Sequence, residues 1–308
     1  MNKVYKSLIH LSLIVLVLFV VLPLNGQTQG EDSLKYERLV KFPLLSVRYF
    51  NYSNSDFDTP NGVGQIHMGE FNTNFQFAIP LKEKKAYLIN RLNFTKFDFD
   101  AKVENVTTVP KTFYSLGYTL GVMNVLSNNW KILATVTPTL ASDFEEKLSA
   151  EDLIIQSAVI ATKRSGPYFE YGFGAAYSTR FGREMYIPLA SMTYKKGRWG
   201  LFMLLPAYVS QYYHFNNSRI GLTLSTFGNV YNYSNEVSDQ YDLDKMGYTR
   251  INIGPEYRTK LFGDVHLGLS TGVTVRNKLE SINGNGGLEL DLSTQQKFFF
   301  KIEFSILK

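Results

Sequence analysis

The sequence predicts an all-β protein: a transmembrane antiparallel up-and-down β-barrel of about 14 strands that follows a cleaved signal peptide. Three observations predict this class. Apolar and polar residues alternate with a period of two after about residue 43. The polar connections between these alternating segments are short and long in alternation, and aromatic residues are concentrated near the predicted strand ends. Membrane barrels combine these features because each strand presents one face to lipid and the other to the interior.

The composition narrows the classes of function. The chain has 308 residues, of which 44% are hydrophobic and 15% aromatic, so it can fold around a large apolar surface and is not disordered. It contains no cysteine, which excludes disulfides, thiolate metal sites and cysteine nucleophiles. The formal net charge is +5, and two of these charges, Lys3 and Lys6, belong to the predicted signal. So small a charge predicts no nucleic-acid partner.

The N-terminal sequence is typical of a secretory signal peptide. Lys3 and Lys6 precede the apolar run 11–22, Pro23 ends it, and small or polar residues follow, which places cleavage close to Gly26. An uncleaved anchor is the alternative, but a spanning helix needs about 20 apolar residues. We therefore expect a signal peptide at 1–26, a short periplasmic segment at 27–43 and an outer-membrane β-barrel at 44–308.

The alternation of apolar and polar residues locates the strands along the chain. In 169–177, for example, Phe169, Tyr171 and Phe173 share one face while Glu170 and Gly172 share the other. The predicted strands are 44–52, 66–81, 85–99, 112–126, 131–141, 153–162, 168–179, 186–194, 199–205, 207–215, 219–231, 248–259, 265–276 and 297–307. Dividing the chain at Pro206 gives an even number of strands, whereas a bulge there would leave 12 after re-pairing.

The connections alternate in length. Short turns are predicted near 82–84, 127–129, 163–166, 195–197, 216–218 and 262–264, and longer polar segments at 53–65, 100–110, 143–151, 180–185, 233–245 and 277–296. Tight periplasmic turns and longer external loops are typical of a transmembrane meander. A soluble β-sandwich or lipocalin-like binding protein also alternates, but it does not need polar faces rich in Gly, Ser, Thr and Asn, or runs as long as a membrane-spanning strand.

Two stretches and the last strand carry a family resemblance. The chain ends on an aromatic-rich strand with Phe298, Phe300 and Phe304 on one face, as outer-membrane barrels do, so barrel-insertion machinery is an expected partner. The stretches 186–206 (YIPL, Trp199 and LLP) and 253–258 (IGPEYR) resemble a Gram-negative, Bacteroidota-type outer-membrane β-barrel family of unknown function. This resemblance implies a fold and an outer-membrane location, and it supplies no activity.

Charged residues on the predicted inner faces form the candidate site. Its members are Glu170, Arg250, Glu256, Arg258, His266, Arg276, Lys301 and Glu303. Charges inside a barrel must pair or meet water, because isolating them in a low dielectric is costly. Two interpretations stay open: a paired network that plugs and stiffens the barrel, or a water-filled pathway whose basic wall prefers anions.

The histidines do not form a metal-binding or catalytic motif. His67, His214 and His266 are far apart and lack the spacing of a metal pair, so we expect no metal and no cofactor. His214 and Ser218 are residue types that a lipid hydrolase uses, although the Asn-Asn-Ser between strands is ordinary turn chemistry. Acidic clusters on the predicted external loops could bind cations that bridge lipopolysaccharide, with solvated loop charge as the simpler interpretation. They are Asp56 and Asp58; Asp98 and Asp100; Asp143, Glu145 and Glu146; and Asp239, Asp242 and Asp244.

The leading hypothesis is therefore an integral outer-membrane β-barrel without catalytic activity, structural or acting as a narrow channel for small solutes. An outer-membrane lipid hydrolase using His214 and Ser218, and a soluble periplasmic binding protein, are the alternatives. The expected partners are outer-membrane lipid and lipopolysaccharide, the insertion machinery and a small solute.

Overall fold

The computed structural model describes residues 42–59, 62–81, 85–103, 111–233, 244–282, 288–291, 293–294 and 297–307. The predicted signal peptide, most of the predicted periplasmic segment 27–43, and Asp239 and Asp242 of one acidic cluster lie outside these residues. Within them, no helix is long and apolar enough to cross a membrane. The helical element they contain is one turn of 3₁₀ helix at Ala150–Asp152.

The chain folds as an antiparallel meander. Its strands are β1 (Leu45–Thr59), β2 (Gly62–Pro80), β3 (Ala86–Val103), β4 (Lys111–Val125), β5 (Trp130–Ser142), β6 (Leu153–Arg164), β7 (Phe169–Ser178), β8 (Met185–Lys196), β9 (Trp199–Leu205), β10 (Tyr208–Phe215), β11 (Ser218–Asn232), β12 (Lys245–Phe262), β13 (Val265–Ile282), β14 (Leu288–Asp291) and β15 (Lys297–Ile306).

Fourteen of these strands close into a barrel. Each of β1 to β13 pairs with the next strand, β13 pairs with β15, and β15 returns to β1, where Leu45 lies opposite Ile306. The short β14 pairs with the last residues of β13, beyond the point where the pairing of β13 with β15 ends. It therefore lies beside β13 outside the closed ring. Closure gives every strand of the ring a paired neighbour on both sides along at least part of its length. The predicted fold class and the 14-strand count are confirmed, as is the division at Pro206.

Several strands are longer than the alternation predicts. β1 continues to Thr59, β12 begins at Lys245, and β13 ends at Ile282. These hairpins keep exchanging backbone hydrogen bonds past the apolar section, so polar residues there are extended although the hydrophobic rhythm has ended. We call this end of the barrel, which carries the long connections, the long-loop end, and the opposite end the short-turn end.

The outer wall is apolar and exposed. Phe298 is 71% exposed, Phe173 65%, Val159 54% and Ile220 50%. Inward positions hold polar and charged side chains, such as the buried Glu256. A soluble sandwich would show the opposite arrangement, with its apolar faces packed against each other and its polar faces in water.

An aromatic cluster fills part of the interior toward the long-loop end. Its rings stack closely: the centroids of Phe97 and Tyr248 are 4.6 Å apart, and those of Phe113 and Tyr231 are 5.1 Å apart. The buried members of the cluster are Phe50, Tyr52, Ile66, Met68, Phe97, Phe99, Phe113, Ala141, Ile154, Val230, Tyr231, Met246, Tyr248, Leu279 and Phe299. Its members come from β1–β6, β11–β13 and β15, and they narrow the lumen at this level of the barrel.

Toward the long-loop end, β11 bends away from the barrel wall. The hairpin of β9 and β10 is short, so the pairing of β10 with β11 stops at Ser225. Beyond it, β11 pairs on that side with β5, where Asn232 lies beside Ser142 in a parallel bridge. The side-chain amide of Asn232 also donates to Asp152 at 3.0 Å. The end of β11 therefore lies across the mouth of the barrel, toward β5.

Candidate functional site

A charged cluster lies inside the barrel between the aromatic cluster and the short-turn end. Glu256 and Arg258 of β12 and Lys301 and Glu303 of β15 point inward because residues two apart in a strand share a face. The intervening strand β13 places Gly268 between Arg258 and Glu303, opposite both. Since glycine has no side chain, the charged groups of the two outer strands meet across β13.

Two carboxylates are shared among three cations. Glu256 accepts from Lys301 at 2.7 Å and from Arg219 at 3.1 Å, with Arg258 at 3.7 Å. Glu303 accepts from Arg258 at 2.8 Å, with Lys301 at 3.7 Å. We call these five residues the lumen network. Both carboxylates and Lys301 are buried, so pairing offsets the cost of removing them from water.

Arg250 forms a second, separate arrangement at the aromatic cluster. It is completely buried, and its guanidinium carbon lies 4.2 Å from the ring centroid of Tyr52, 4.6 Å from Phe97 and 4.8 Å from Tyr248. Glu70 is 3.6 Å away and also accepts from the Tyr248 hydroxyl at 3.1 Å. Ring faces and one carboxylate thus surround the cation, an environment in which desolvated cation–π contacts are strongest.

Among the arginines that have no ion pair in the described part of the chain, three lie close to one another inside the barrel. Arg48 donates to the side chain of Asn72 at 2.5 Å, Arg91 to that of Gln76 at 3.0 Å, and Arg180 to the backbone carbonyl of residue 226 at 2.8 Å. Arg91 lies within electrostatic range of both other arginines, and Arg180 lies within range of Arg48. We call Arg48, Arg91 and Arg180 the arginine trio.

The comparisons with known proteins identify a family. The family described as "Domain of unknown function (DUF6268)" matches residues 44–282, which is most of the barrel. The chain belongs to the DUF6268 family. No curated protein matches it.

Solved structures that resemble this DUF6268 barrel are distant in sequence. The COG4313 outer membrane channel from Pseudomonas putida F1 has 10% identity and a TM-score of 0.44, covering 91% of this chain and 100% of that one. A TodX monoaromatic hydrocarbon channel lacking S2S3 has 8% identity and a TM-score of 0.44, covering 86% and 89%. A bacterial polysaccharide outer membrane secretin has 8% identity and a TM-score of 0.29, covering 86% and 99%.

Half of the predicted site residues meet as one group in the DUF6268 barrel. Glu256, Arg258, Lys301 and Glu303 form the lumen network with Arg219. The other predicted members lie elsewhere.

Glu170 is one of these, and it points inward to pair with Lys131 at 2.7 Å. Arg250 pairs with Glu70 instead of with the network. His266 contacts the backbone carbonyl of Asp264 in the adjacent turn at 3.0 Å, and thus sits at the short-turn rim.

The prediction that Arg276 points inward is wrong. Strict alternation from Val265 assigns it to the inner face, but β13 carries a bulge opposite Ile251 and Asn252. The extra residue reverses the alternation, so Arg276 lies opposite Ile251 and on the other face from Arg250.

The prediction of the site omitted several basic or acidic interior residues. They include Arg48, Glu70, Arg91, Lys111, Lys131, Arg180 and Arg219. For those that lie on strands, the alternation carried a signal: Glu70, for example, shares its face with Asn72 and Asn74, and these polar residues alternate with Phe71 and Phe75. Arg180 lies in the connection between β7 and β8, where no periodicity indicates direction.

The hydrolase pair is not assembled. In the β10–β11 hairpin His214 lies opposite Arg219, a member of the lumen network, whereas Ser218 lies opposite Phe215 on the outer face. The Ser218 hydroxyl instead bonds to Thr259 at 2.8 Å and lies 3.2 Å from the Tyr257 hydroxyl. Because the two side chains project from opposite faces of the sheet, His214 cannot activate Ser218.

Several members of the acidic clusters have protein partners. Asp143 and Glu145 bind Lys111 at 2.9 Å and 2.7 Å, and Asp98 binds Lys96 at 3.0 Å. Among the residues that the structure describes, no group of three or more His, Asp or Glu side chains is arranged to hold a metal ion. The cation-bridging interpretation of these loops therefore has no described site.

The connection between β5 and β6 is hydrogen-bonded to the end of β11 at the mouth of the barrel. Asp152 accepts from the backbone N–H of Ser149 at 2.6 Å and from Asn232 at 3.0 Å. Burial raises the pKa of the Asp152 carboxyl, but these hydrogen bonds outweigh it and hold the pKa below the ordinary value. Asp152 therefore remains charged and anchors the end of β11.

Proposed function

We propose that this DUF6268 protein is an integral outer-membrane β-barrel that acts as a narrow channel for small solutes, with no catalytic role. The observation that carries the proposal is the inverted distribution of polarity. Large apolar side chains on the outer wall are exposed, such as Phe173 and Phe298, while charged groups such as Glu256 are enclosed. Lipid is the solvent that such an outer wall fits.

The interior supports a pathway beside the aromatic cluster. The inward residues of β5, β6 and β7 include many small ones, which occupy little of the lumen: Thr135, Thr137, Thr139, Ala158, Gly172, Gly174 and Ala176. Near the mouth, a cavity of about 110 Å³ is lined by residues that include Leu153, Glu184, Val230 and Lys245. These features favour a constricted channel over a wide pore.

Fractionation and bilayer recording test the proposal. We expect the protein in outer-membrane fractions, resistant to carbonate extraction, and migrating differently on gels before and after heating. Purified barrel should produce small, stable conductance steps in planar bilayers. Release by carbonate would refute the membrane location, and intact inserted barrel without conductance would refute the channel.

A further inference from the structure

The arginine trio lacks the compensation that the other interior cations have. Each of the three donates to a neutral acceptor: an asparagine, a glutamine or a backbone carbonyl. The Nε atom of Arg48 is buried and has no hydrogen-bond partner. Guanidinium groups close enough to interact repel one another, so an arrangement without a counter-charge is costly unless an anion joins it.

The nearby carboxylates are already engaged. Glu303, which lies opposite Arg48 on the neighbouring strand, binds Arg258 and Lys301. Glu70, within electrostatic range of Arg180, binds Arg250 and the Tyr248 hydroxyl. The protein groups around the trio therefore leave its positive charge in excess.

The trio is also reachable from water. Arg180 is exposed, and Arg48 and Arg91 are partly exposed, whereas Glu256, Lys301 and Glu303 of the lumen network are buried. Two of the arginines are fixed to the barrel wall on β1 and β3, and Arg180 reaches them from the connection between β7 and β8. Arg219 and Arg258 of the lumen network are partly exposed as well, but each is paired with a carboxylate. The trio is therefore the accessible basic group that has no carboxylate within ion-pair distance among the described residues.

We infer that Arg48, Arg91 and Arg180 form a binding site for a small oxyanion, a carboxylate or a phosphate, inside the DUF6268 barrel. Guanidinium groups match both anions because they present parallel N–H donors to paired oxygen atoms. This inference rests on the proposed channel function, to which it adds a substrate class. A site of this kind would make the channel select anions.

Binding and conductance are measured separately. Succinate and inorganic phosphate are titrated into detergent-solubilised barrel by calorimetry, and the zero-current potential is recorded in a potassium chloride gradient with and without each anion. The variants are Arg48→Gln and Arg91→Gln, with Arg198→Gln as the matched control, because Arg198 lies in the short turn between β8 and β9. The heat-dependent gel shift checks that each variant is folded.

We expect each trio variant to weaken binding of the preferred anion by about tenfold or more, the loss of one charge-assisted hydrogen bond. The same variants should shift the zero-current potential toward cations, and Arg198→Gln should change neither quantity. Stronger binding of succinate or of phosphate identifies the carboxylate or the phosphate as the ligand.

The two proposals fail in different ways. If wild-type barrel conducts but binding and selectivity are unchanged in the folded trio variants, the oxyanion site is refuted and the channel stands. Wild-type barrel that binds the anion through the trio without conducting supports the site and refutes the channel. Absence of both binding and conductance refutes both proposals.

Discussion

Replacing Glu256 by Gln should strongly destabilise the barrel. Glu256 is 4% exposed and is the acceptor shared by Lys301 at 2.7 Å and Arg219 at 3.1 Å. Glutamine has nearly the same volume, so the substitution removes a charge without creating a cavity. It leaves three cations beside one carboxylate, Glu303.

The expected cost follows from the burial of the partners. Removing one member of a buried ion pair costs about 3–5 kcal/mol. Because the Arg219 side chain keeps 21% of its exposure and can turn toward water, we expect the lower end, about 3 kcal/mol. The double variant Glu256→Gln with Lys301→Met should recover part of this loss, since it removes a cation that has lost its nearest partner.

The assay is urea unfolding of the barrel reconstituted in lipid vesicles, followed by tryptophan fluorescence. Asp98→Asn is the control, because its ion pair with Lys96 is 40–46% exposed and should contribute less than about 1 kcal/mol. Equal stability of wild type and Glu256→Gln would refute the reasoning that the lumen network stabilises the barrel.

Four other substitutions test this description of the barrel. Gly228→Ala should speed tryptic cleavage after Arg180, since a Cβ there would lie 2.1 Å from the Arg180 carbonyl oxygen and must displace the β7–β8 connection; an unchanged rate would contradict that packing. His214→Ala and Ser218→Ala should each leave any lipid hydrolysis by the purified barrel unchanged, and loss of hydrolysis in both would restore the dyad. Asp152→Asn should remove a stabilisation that wild type holds above its ordinary pKa and loses as pH falls through the lowered value; identical pH profiles of unfolding would exclude it.

The alternation of residues was enough to predict the class and strand number of the fold. It worked because a strand with lipid on one side must repeat every two residues, as in 169–177. It also placed Glu256, Arg258, Lys301 and Glu303 on the inner wall, where they meet. What alternation could not predict is which inward charges pair, since that depends on strand neighbours and on the gap that Gly268 leaves.

Two structural features could not be predicted from the sequence because they interrupt the two-residue alternation. The bulge in β13 reverses the direction of Arg276, and a bulge is set by the register with the neighbouring strand. The turn of β11 toward β5 follows from the shortness of the β9–β10 hairpin, and it brings the connection that carries Arg180 against the inner surface. Neither event leaves a pattern in the hydrophobicity of a single strand.

Site-directed spin labelling measures most directly whether the outer wall contacts lipid. The chain has no cysteine, so single cysteines can be placed at Phe173 and Ile220 on the outer wall and at Thr137 on the inner face without background labelling. We expect the two outer labels to collide with oxygen dissolved in the hydrocarbon and to be shielded from a water-soluble nickel complex, and the inner label to show the reverse. Outer labels that are open to the nickel complex, or immobilised against protein, would contradict this expectation.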